Sequence, residues 1–538
     1  MPDLILKTTG GDRRLEFSPT QSLKEVLEAN NCRVRSGCRG TGACGLCRVA
    51  VSSAEADEPT TAEQLYLSDD QILSGVRLAC QVRPRQDMEV TILNPAPPSR
   101  WRTIIPAHGD HPYGRRTPAP SFPDLPKDIK RPHGLAIDLG TTHISLSFFD
   151  FSAGQWFTGR RGLNPQGVYG ADVMTRLTAA CESPRLAQDM RKQTIEAISD
   201  AVQDVATREG MGTEEIVKCL LVGNTAMLAL LSGRNTPLLL QPAHWEHPID
   251  CLPEDPEDLR RSWGIHPEAL IEIPPPLAGF VGSDLLAGIV ATGLVEAGPG
   301  SLLIDFGTNS EIALWDGNTL WVTSAAGGPA FEGCGLGCGI PAESGAIYQV
   351  KGSGLDLDFR TIDGAFPRGL CGSGIVDLIA CLARSGILTP TGCFAPGFPQ
   401  NGFVLPLQGP RLLLTKRDVD VFQRAKGAIS AAVRVLLSLA GMGPRDLRHI
   451  YLGGAFGHFL DKANAAAVGL LPHGRAEFIH LCGNTALAGC ESLLMTSDSV
   501  ESLRRLTDRA RIINLARNDE FEDFFLEGLY LSPWPDGA

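Results

Sequence analysis

Two closely related loops, each set between two apolar strands, constrain the fold of this chain more than any other feature. The first lies in LAIDLGTTHISLSFF (135–149) and the second in SLLIDFGTNSEIALW (301–315). Each pattern runs from a buried apolar strand through Asp-x-Gly-Thr into a second strand. Because the loops match in residue order and in strand context, the sequence predicts a duplicated domain.

The residues of these loops are suited to binding phosphate. Glycine lets the backbone approach an anion closely, and turn amides and threonine hydroxyls can donate hydrogen bonds to it. The predicted nucleotide-binding residues are Gly140, Thr141 and Thr142 in the first loop and Gly307, Thr308 and Asn309 in the second. Asp138 and Asp305 are the predicted catalytic residues, since a carboxylate in this place can hold Mg²⁺ through water.

A third glycine-rich turn, IYLGGAFGHF (450–459), follows another apolar strand. Its Gly453 and Gly454 allow close packing against a base or a ribose. The three motifs together resemble the superfamily of sugar kinases, Hsp70 and actin (ASKHA), in which two loops clamp the phosphates and a later glycine pair supports adenosine. The resemblance implies ATP and Mg²⁺ between lobe I (134–300) and lobe II (301–538).

Four cysteines near the N-terminus have the spacing of an iron–sulfur site. Cys38, Cys44 and Cys47 lie in the glycine-rich SGCRGTGACGLC (36–47), and Cys80 follows in RLACQV (77–82). Iron–sulfur clusters take thiolate ligands, and glycines let the backbone wrap the cluster and point N–H groups at its sulfurs. A structural zinc site and chance clustering are the alternatives, although zinc usually takes paired C-x2-C knuckles.

Residues 1–94 resemble a β-grasp 2Fe–2S ferredoxin of the adrenodoxin-like branch, which has the same C-x5-C spacing. Alternating runs on either side of Gly10 and Gly11 predict a β-hairpin. Ser22 followed by Glu25 predicts a capping box at the start of a helix. The chain is thus expected to be a multidomain α+β and α/β protein, with a ferredoxin domain followed by a two-lobed ASKHA ATPase. Cys32 is interpreted as a spare thiol, with a role as a cluster ligand as the alternative.

Residues 95–133 are rich in proline and polar residues and have no apolar periodicity. Such a segment predicts a semi-rigid tether of about 3.1 Å per residue, long enough for the ferredoxin domain to visit two sites. A passive spacer is the alternative.

Composition excludes several function classes. The net charge is −13, with 61 acidic against 48 basic residues, which opposes binding to nucleic acid. No signal peptide and no long apolar segment is evident, so we expect a cytoplasmic protein without membrane contact. Because the cytoplasm keeps cysteines reduced, the 15 cysteines are interpreted as free thiols and cluster ligands and not as disulfides.

Seven further segments extend the resemblance over nearly the whole chain. They are NPQGVYGADVMTRL (164–177), VGNTAMLALL (222–231), GSDLLAG (282–288), AAGGPAFEGC (325–334), LCGSGIVDL (370–378), QRAKGAI (423–429) and GNTALAG (483–489). With the cysteine array they look like the reductive activators of corrinoid proteins.

That resemblance implies ATP-dependent, one-electron reduction of cob(II)alamin to cob(I)alamin by the 2Fe–2S cluster, in support of a corrinoid-dependent methyltransferase system. It implies a corrinoid protein as partner and an external electron donor, and a homodimer is an expectation taken from relatives. The chain lacks the dense C-terminal cysteine runs of some relatives, so the N-terminal cluster is the expected electron source. It also lacks the extra domain that other relatives insert before the first phosphate loop.

Three other functions stay open. An ATP-dependent activator of another low-potential enzyme, such as a 2-hydroxyacyl-CoA dehydratase, would hold a 4Fe–4S cluster between subunits. Cys334 and Cys338 are its candidate ligands, or else thiols of a glycine-rich loop. A kinase with a fused ferredoxin module needs a catalytic base near the acceptor hydroxyl. Asp305 is the only candidate for this base in the sequence motifs. A chaperone-like ATPase would remodel a partner without electron transfer.

Some residues outside the motifs have structural interpretations. His143 and His458 are expected to be packed or hydrogen-bonded. Asn224 and Glu332 either face a partner or serve in turns and caps. Eight scattered cysteines without metal spacing are interpreted as core thiols, namely Cys181, Cys219, Cys251, Cys371, Cys381, Cys393, Cys482 and Cys490.

Overall fold

A computed structural model gives the fold of the chain. It describes residues 4–8, 12–15, 17, 21–30, 32, 34–35, 40, 42, 44–52, 58–85, 87–95, 101–104, 129–333, 335–407, 411–454, 459–472, 476–496 and 499–534. Cys38, Gly10, Gly11, Cys334 and His458, which carry predictions made above, lie outside the described residues.

The N-terminal domain is built on a five-stranded sheet with the order β2-β1-β5-β3-β4. Its strands are β1 (Leu4–Lys7), β2 (Arg13–Leu15), β3 (Arg48–Ser52), β4 (Val76–Leu78) and β5 (Met88–Ile92), and its helices are α1 (Leu23–Ala29), α2 (Thr61–Tyr66) and α3 (Asp69–Leu73). Strands β1 and β2 pair antiparallel, which confirms the predicted hairpin. The capping box of α1 is also confirmed, because the Ser22 amide donates to Glu25 Oε2 at 2.7 Å and the Glu25 amide donates to Ser22 Oγ at 3.3 Å.

Lobe I contains a six-stranded sheet with the order β11-β10-β7-β8-β9-β6. Its strands are β6 (Arg102–Thr103), β7 (His133–Leu139), β8 (His143–Asp150), β9 (Gln155–Leu163), β10 (Ile216–Gly223) and β11 (Leu270–Glu272). Its helices are α4 (Val173–Glu182), α5 (Pro184–Glu209), α6 (Thr225–Ser232), α7 (Thr236–Leu239), α8 (Pro256–Trp263) and α9 (Ser283–Thr292). Every residue of β7 and β10 is buried, as expected for central strands covered on both faces.

Part of the predicted tether belongs to this sheet. Strand β6 pairs antiparallel with β9, and Trp101 packs against Gly162. Residues 101–104 are therefore built into lobe I, while 96–100 and 105–128 lie outside the described residues.

Lobe II contains a second six-stranded sheet with the order β21-β20-β12-β13-β14-β22, together with two small sheets, β16-β15-β17 and β18-β19. Its strands are β12 (Ser301–Asp305), β13 (Ser310–Trp315), β14 (Leu320–Ala325), β15 (Ala346–Ser353), β16 (Asp356–Thr361), β17 (Gly369–Leu370), β18 (Gly402–Val404), β19 (Leu413–Thr415), β20 (His449–Gly453), β21 (Ile479–Gly483) and β22 (Ala510–Ile512). Its helices are α10 (Gly372–Arg384), α11 (Lys416–Leu439), α12 (Lys462–Ala467), α13 (Thr485–Leu494), α14 (Ser499–Thr507) and α15 (Phe521–Gly528).

The central strands of the two large sheets have the same order and directions. In lobe I, β10 runs parallel to β7, and β7, β8 and β9 pair antiparallel. In lobe II, β20 runs parallel to β12, and β12, β13 and β14 pair antiparallel. The duplication predicted from the two loops is confirmed. Helices α9 and α13 pack against each other and against strands of both sheets, so they join the lobes.

None of the helices in the described part of the chain combines the length and the apolar character needed to cross a membrane.

Candidate functional site

The two predicted phosphate loops are the turns between β7 and β8 and between β12 and β13. They converge on one carboxylate, that of Glu332. The Thr142 hydroxyl donates to Glu332 Oε1 at 3.1 Å, and the Thr308 hydroxyl donates to Oε2 at 2.8 Å. Threonines from both lobes therefore meet at a single point, and the hydroxyl donors that bind a carboxylate there are the kind that bind a phosphate oxygen.

Helix α13 holds the two predicted catalytic aspartates at its N-terminus. Asn484 Nδ2 donates to Asp138 Oδ2 at 2.7 Å, and Thr485 Oγ1 donates to Asp305 Oδ2 at 2.9 Å. Asn484 also caps the helix, because its Oδ1 accepts from the Leu487 amide at 2.9 Å. One helix terminus thus fixes a carboxylate from each lobe.

A related arrangement occurs in lobe I at the N-terminus of α6. Asn224 caps that helix by accepting from the Met227 amide at 3.0 Å, and its Nδ2 donates to Thr141 Oγ1 at 2.9 Å. Asn224 thus serves as a cap, one of the two roles considered for it, and also supports the first phosphate loop. The shared sequence Gly-Asn-Thr-Ala at 223–226 and 483–486 was the signal that could have identified both asparagines as site residues.

Carboxylates concentrate negative charge in this region. Burial raises the pKa of Asp138 and of Asp305 to about 6. Burial and repulsion from these two aspartates raise the pKa of Asp284 to about 7. Burial and repulsion from Asp284 and Asp305 raise the pKa of Glu311. A cation would relieve this repulsion, and oxygen donors suit Mg²⁺. Within the described ranges no three His, Cys, Asp or Glu side chains are grouped to hold a metal ion.

Two arginines flank Glu332 from the lobe I side. Burial raises the pKa of Glu332, opposed by the hydroxyls of Thr308 and Thr142 and then by the charges of Arg176 and Arg161. The Nε atom of Arg161 is buried and has no hydrogen-bond partner within the described part of the chain. An unpartnered cationic donor near Asp138 and Glu332 suits an anionic ligand.

The predicted adenosine-supporting glycines lie beside the second phosphate loop. A Cβ at Gly454, whose φ is +84°, would come within 2.0 Å of the Phe306 carbonyl oxygen. A Cβ at Gly453 would come within 2.5 Å of Thr485 Oγ1. Close approach of protein neighbours therefore requires both glycines, and their contact with a nucleotide remains a prediction.

Three of the four predicted cluster cysteines are described. Cys44 and Cys47 are buried, and Cys80 is half-buried. The Ala79 amide donates to the Cys47 carbonyl oxygen at 2.8 Å, which brings Cys47 next to Cys80. Positive φ angles at Gly40, Gly42 and Gly45 turn the loop between the cysteines. These features suit thiolate ligation of a cluster. The Cys32 thiol donates to the Asn30 carbonyl oxygen at 3.4 Å.

Other predicted residues have simpler environments. Burial lowers the pKa of His143 to about 3, and its Nδ1 lies 3.3 Å from Arg161 Nη2, so it is a packed, neutral histidine. Cys338 is a buried thiol of the glycine-rich loop. Cys181 and Cys393 are exposed and Cys482 is half-buried, which corrects the prediction that all eight scattered cysteines are core thiols. Cys181 lies on the outer side of α4 and Cys393 in a surface turn.

Comparisons with known proteins match three parts of the chain. Residues 7–85 match the 2Fe-2S iron-sulfur cluster binding domain, residues 133–297 the RACo middle region, and residues 300–534 the C-terminal domain of RACo, the ASKHA domain. These matches confirm the predicted fold class, a ferredoxin-like domain followed by an ASKHA body.

Two curated relatives align over most of the chain. Corrinoid activation enzyme RamQ of Eubacterium limosum is 30% identical over 73% of this chain and 69% of its own. The [Co(II) methylated amine-specific corrinoid protein] reductase of Methanosarcina barkeri is 31% identical over 75% of this chain and 78% of its own. A solved structure titled "Reductive activator for corrinoid,iron-sulfur protein" has the same fold, with a TM-score of 0.64, 24% identity and 99% coverage of both chains.

Proposed function

This chain belongs to the family of reductive activators of corrinoid proteins, and we propose that it uses ATP to drive one electron from a 2Fe–2S cluster to the cobalt of a partner corrinoid protein. The reaction is the reduction of cob(II)alamin to cob(I)alamin, which supplies a corrinoid-dependent methyltransferase system. The observation that carries the ATP part is the convergence of Thr142 and Thr308, one from each lobe, on a single anion-binding point. The name of the Methanosarcina relative, which specifies a Co(II) corrinoid protein, supports the acceptor.

The cluster-binding residues in this proposal are Cys38, Cys44, Cys47 and Cys80. A bound 2Fe–2S cluster supplies a single electron. The chain contributes a largely buried pair of ligands, Cys44 and Cys47, which shields the site from water and from small oxidants. It also contributes a nearby cation, Arg48, whose charge interacts with both thiols.

The nucleotide-binding residues are the loop residues Gly140, Thr141, Thr142, Gly307, Thr308 and Asn309, with Gly453 and Gly454 near the adenosine. Asp138 and Asp305 would hold Mg²⁺ through water, in orientations fixed by Asn484 and Thr485. Electron transfer to a cobalt that is harder to reduce than the cluster is uphill. A gap of about 200 mV costs roughly 5 kcal/mol at about 1.4 kcal/mol per 59 mV, which ATP binding or hydrolysis can supply.

The partners in this proposal are a corrinoid protein and an external donor that re-reduces the cluster, and the activator itself acts as a homodimer. The partner's own chemistry decides which methyl donor stands upstream.

The test is anoxic visible spectroscopy of cob(II)alamin-loaded corrinoid proteins mixed with this protein and a strong reductant, with and without ATP. We expect the Co(I) absorption band to grow only with ATP. A Cys44→Ser variant should lose the band, whereas Cys393→Ser, at an exposed thiol of lobe II, should keep it. Equal Co(I) formation without ATP, or full activity of Cys44→Ser, would contradict the proposal.

A further inference from the structure

The N-terminal domain docks on lobe II through polar contacts. Arg48 Nη2 donates to the Gly337 carbonyl at 2.7 Å. Arg417, in the first turn of α11, donates to Tyr66 Oη at 2.9 Å and lies 4.2 Å from the centroid of the Tyr66 ring. Ion pairs Arg35–Glu343 and Arg411–Asp70 flank these contacts. Arg411–Asp70 is exposed and contributes little to the docking, whereas Arg35–Glu343 is largely buried.

The docked face is the one that carries the cysteines. Arg48 follows Cys47 directly in the chain. Its guanidinium interacts with Cys44 and Cys47 on its own domain and with Cys338 and Asp418 on lobe II. Lobe II therefore covers the side of the cysteine loop on which Arg48 lies, and an electron acceptor cannot approach from that side while the domain is docked.

The lobe II loop that contacts Arg48 also reaches the phosphate loops. Glu332 and Gly337 belong to one segment, 327–340, which we call the coupling loop; its residue 334 lies outside the described residues. A Cβ at Gly333 would lie 2.0 Å from the Ile340 carbonyl oxygen, and one at Gly339 would lie 2.6 Å from the Gly333 carbonyl oxygen. The two halves of the coupling loop are thus packed backbone against backbone, so a displacement at Glu332 reaches Gly337 instead of being absorbed between them.

A second connection runs through helix α11. Phe331, next to Glu332, packs edge-on against Phe422 of α11 at 5.9 Å between ring centroids. At the start of the same helix, Asp418 Oδ1 accepts from the Gly337 amide at 2.6 Å. Gly337, Arg417 and Asp418, the lobe II side of the docking contact, therefore form one unit with the coupling loop.

We propose that Glu332 is the positioning residue through which phosphate binding at the two loops controls docking of the N-terminal domain. In the described arrangement its carboxylate accepts from Thr142 and Thr308. Phosphate oxygens compete for these hydroxyls, and their charge repels the carboxylate at short range. The coupling loop then moves, Gly337 leaves Arg48, and the domain is released toward an acceptor. The inference rests on the proposed function only in requiring that nucleotide phosphates bind these loops.

The first experiment measures release directly in the full-length, cluster-loaded protein under anoxic conditions. Small-angle X-ray scattering gives the radius of gyration, and stopped-flow oxidation of the reduced cluster by hexaamminecobalt(III) gives its accessibility. We expect the non-hydrolysable analogue AMP-PNP with Mg²⁺ to increase the radius and to accelerate oxidation severalfold. Arg417→Ala should produce both changes without nucleotide, whereas Arg424→Ala, at an exposed position on the same helix, should produce neither.

The second experiment isolates Glu332. Glu332→Gln removes the charge that phosphate repels and keeps the hydrogen-bonding shape, so it should bind AMP-PNP in calorimetry yet keep the compact radius and slow oxidation. Glu332→Asp should restore the response. The inference is overturned if AMP-PNP binds to the wild-type protein without changing the radius or the oxidation rate, or if Glu332→Gln responds like the wild type. If no nucleotide binds at all, both this inference and the ATP dependence of the proposed function are contradicted. ATP-dependent Co(I) formation with an unchanged radius would overturn this inference alone.

Discussion

A buried ion pair between Arg77 and Glu63 stabilises the N-terminal domain close to Cys80, a predicted cluster ligand. Arg77 donates to Glu63 from Nε at 2.8 Å and from Nη2 at 2.9 Å, and the Leu78 amide donates to the same carboxylate at 3.0 Å. The exposed fractions are 4% for Arg77 and 0% for Glu63. Burial opposes ionisation of Glu63, but hydrogen bonds from Arg77 and from the Thr60 and Leu78 amides outweigh it and lower the pKa. The pair ties α2 to β4, which ends just before Cys80.

Arg77→Met would leave the Glu63 charge buried without its partner. Breaking a buried ion pair from one side costs about 3–5 kcal/mol, a large part of the roughly 5–15 kcal/mol that stabilises a domain. We expect a lower urea midpoint for the N-terminal domain and loss of the 2Fe–2S absorption at denaturant concentrations that the wild type tolerates. The double variant Glu63→Gln with Arg77→Met removes both charges and keeps an acceptor for the Leu78 amide. It should therefore lose less stability than Arg77→Met alone.

The assay is urea unfolding of the full chain followed by visible absorption of the cluster and by circular dichroism. Arg85→Ala, at an exposed arginine of the same domain, serves as the control and should change the free energy of unfolding by less than about 0.5 kcal/mol. Since the folded pKa of Glu63 is depressed, its contribution is complete above the ordinary value of 4.5 and is lost as the pH falls through the folded pKa. A midpoint for Arg77→Met equal to that of Arg85→Ala, or a double variant worse than the single one, would refute this reasoning.

Three further predictions concern the two sites. Asn484→Ala removes the hydrogen bond that orients Asp138 and should weaken Mg·ATP binding in calorimetry by about tenfold, equivalent to about 1.4 kcal/mol. As a control, Asn318→Ala, at an exposed position, should leave the Kd unchanged. Because the pKa of Asp284 is raised to about 7 and those of the loop aspartates to about 6, these groups ionise as the pH rises, so Mg·ATP affinity should increase between pH 5.5 and 8; a flat profile would contradict their role. Cys80→Ser should abolish the 2Fe–2S spectrum after reconstitution, and Cys32→Ser should retain it; loss in both variants would speak against the ligand assignment.

Local patterns predicted the fold well. A strand, an Asp-x-Gly-Thr turn and a second strand are contiguous in the chain, and their repetition identified both lobes before any tertiary contact was known. The capping box at Ser22 was equally accessible, since its two partners stand three residues apart. Such features depend on neighbouring residues, and the sequence displays them directly.

The contacts that complete the site are long-range and leave no periodic signal. Glu332 lies in a glycine-rich loop, but its bridge between Thr142 and Thr308 depends on the mutual position of two lobes. The unpartnered Nε of Arg161 depends on burial by distant strands. The contact of Arg48 with Gly337 joins residues from different domains, and nothing in the local sequence of either indicates it. The repeated Gly-Asn-Thr-Ala segment is a usable signal, but the contact of Asn484 with Asp138 depends on the folded arrangement of the two lobes.

The most direct test of the central claim is a single-turnover experiment without any external reductant. The protein is reduced at its cluster, freed of reductant and mixed anoxically with one equivalent of a cob(II)alamin-loaded corrinoid protein, and freeze-quenched samples are followed by electron paramagnetic resonance. With ATP, the signals of the reduced cluster and of Co(II) should disappear together, in a ratio of one to one, as cob(I)alamin absorption appears; without ATP, both should persist. Loss of the cluster signal with unchanged Co(II), or equal transfer without ATP, would contradict the account.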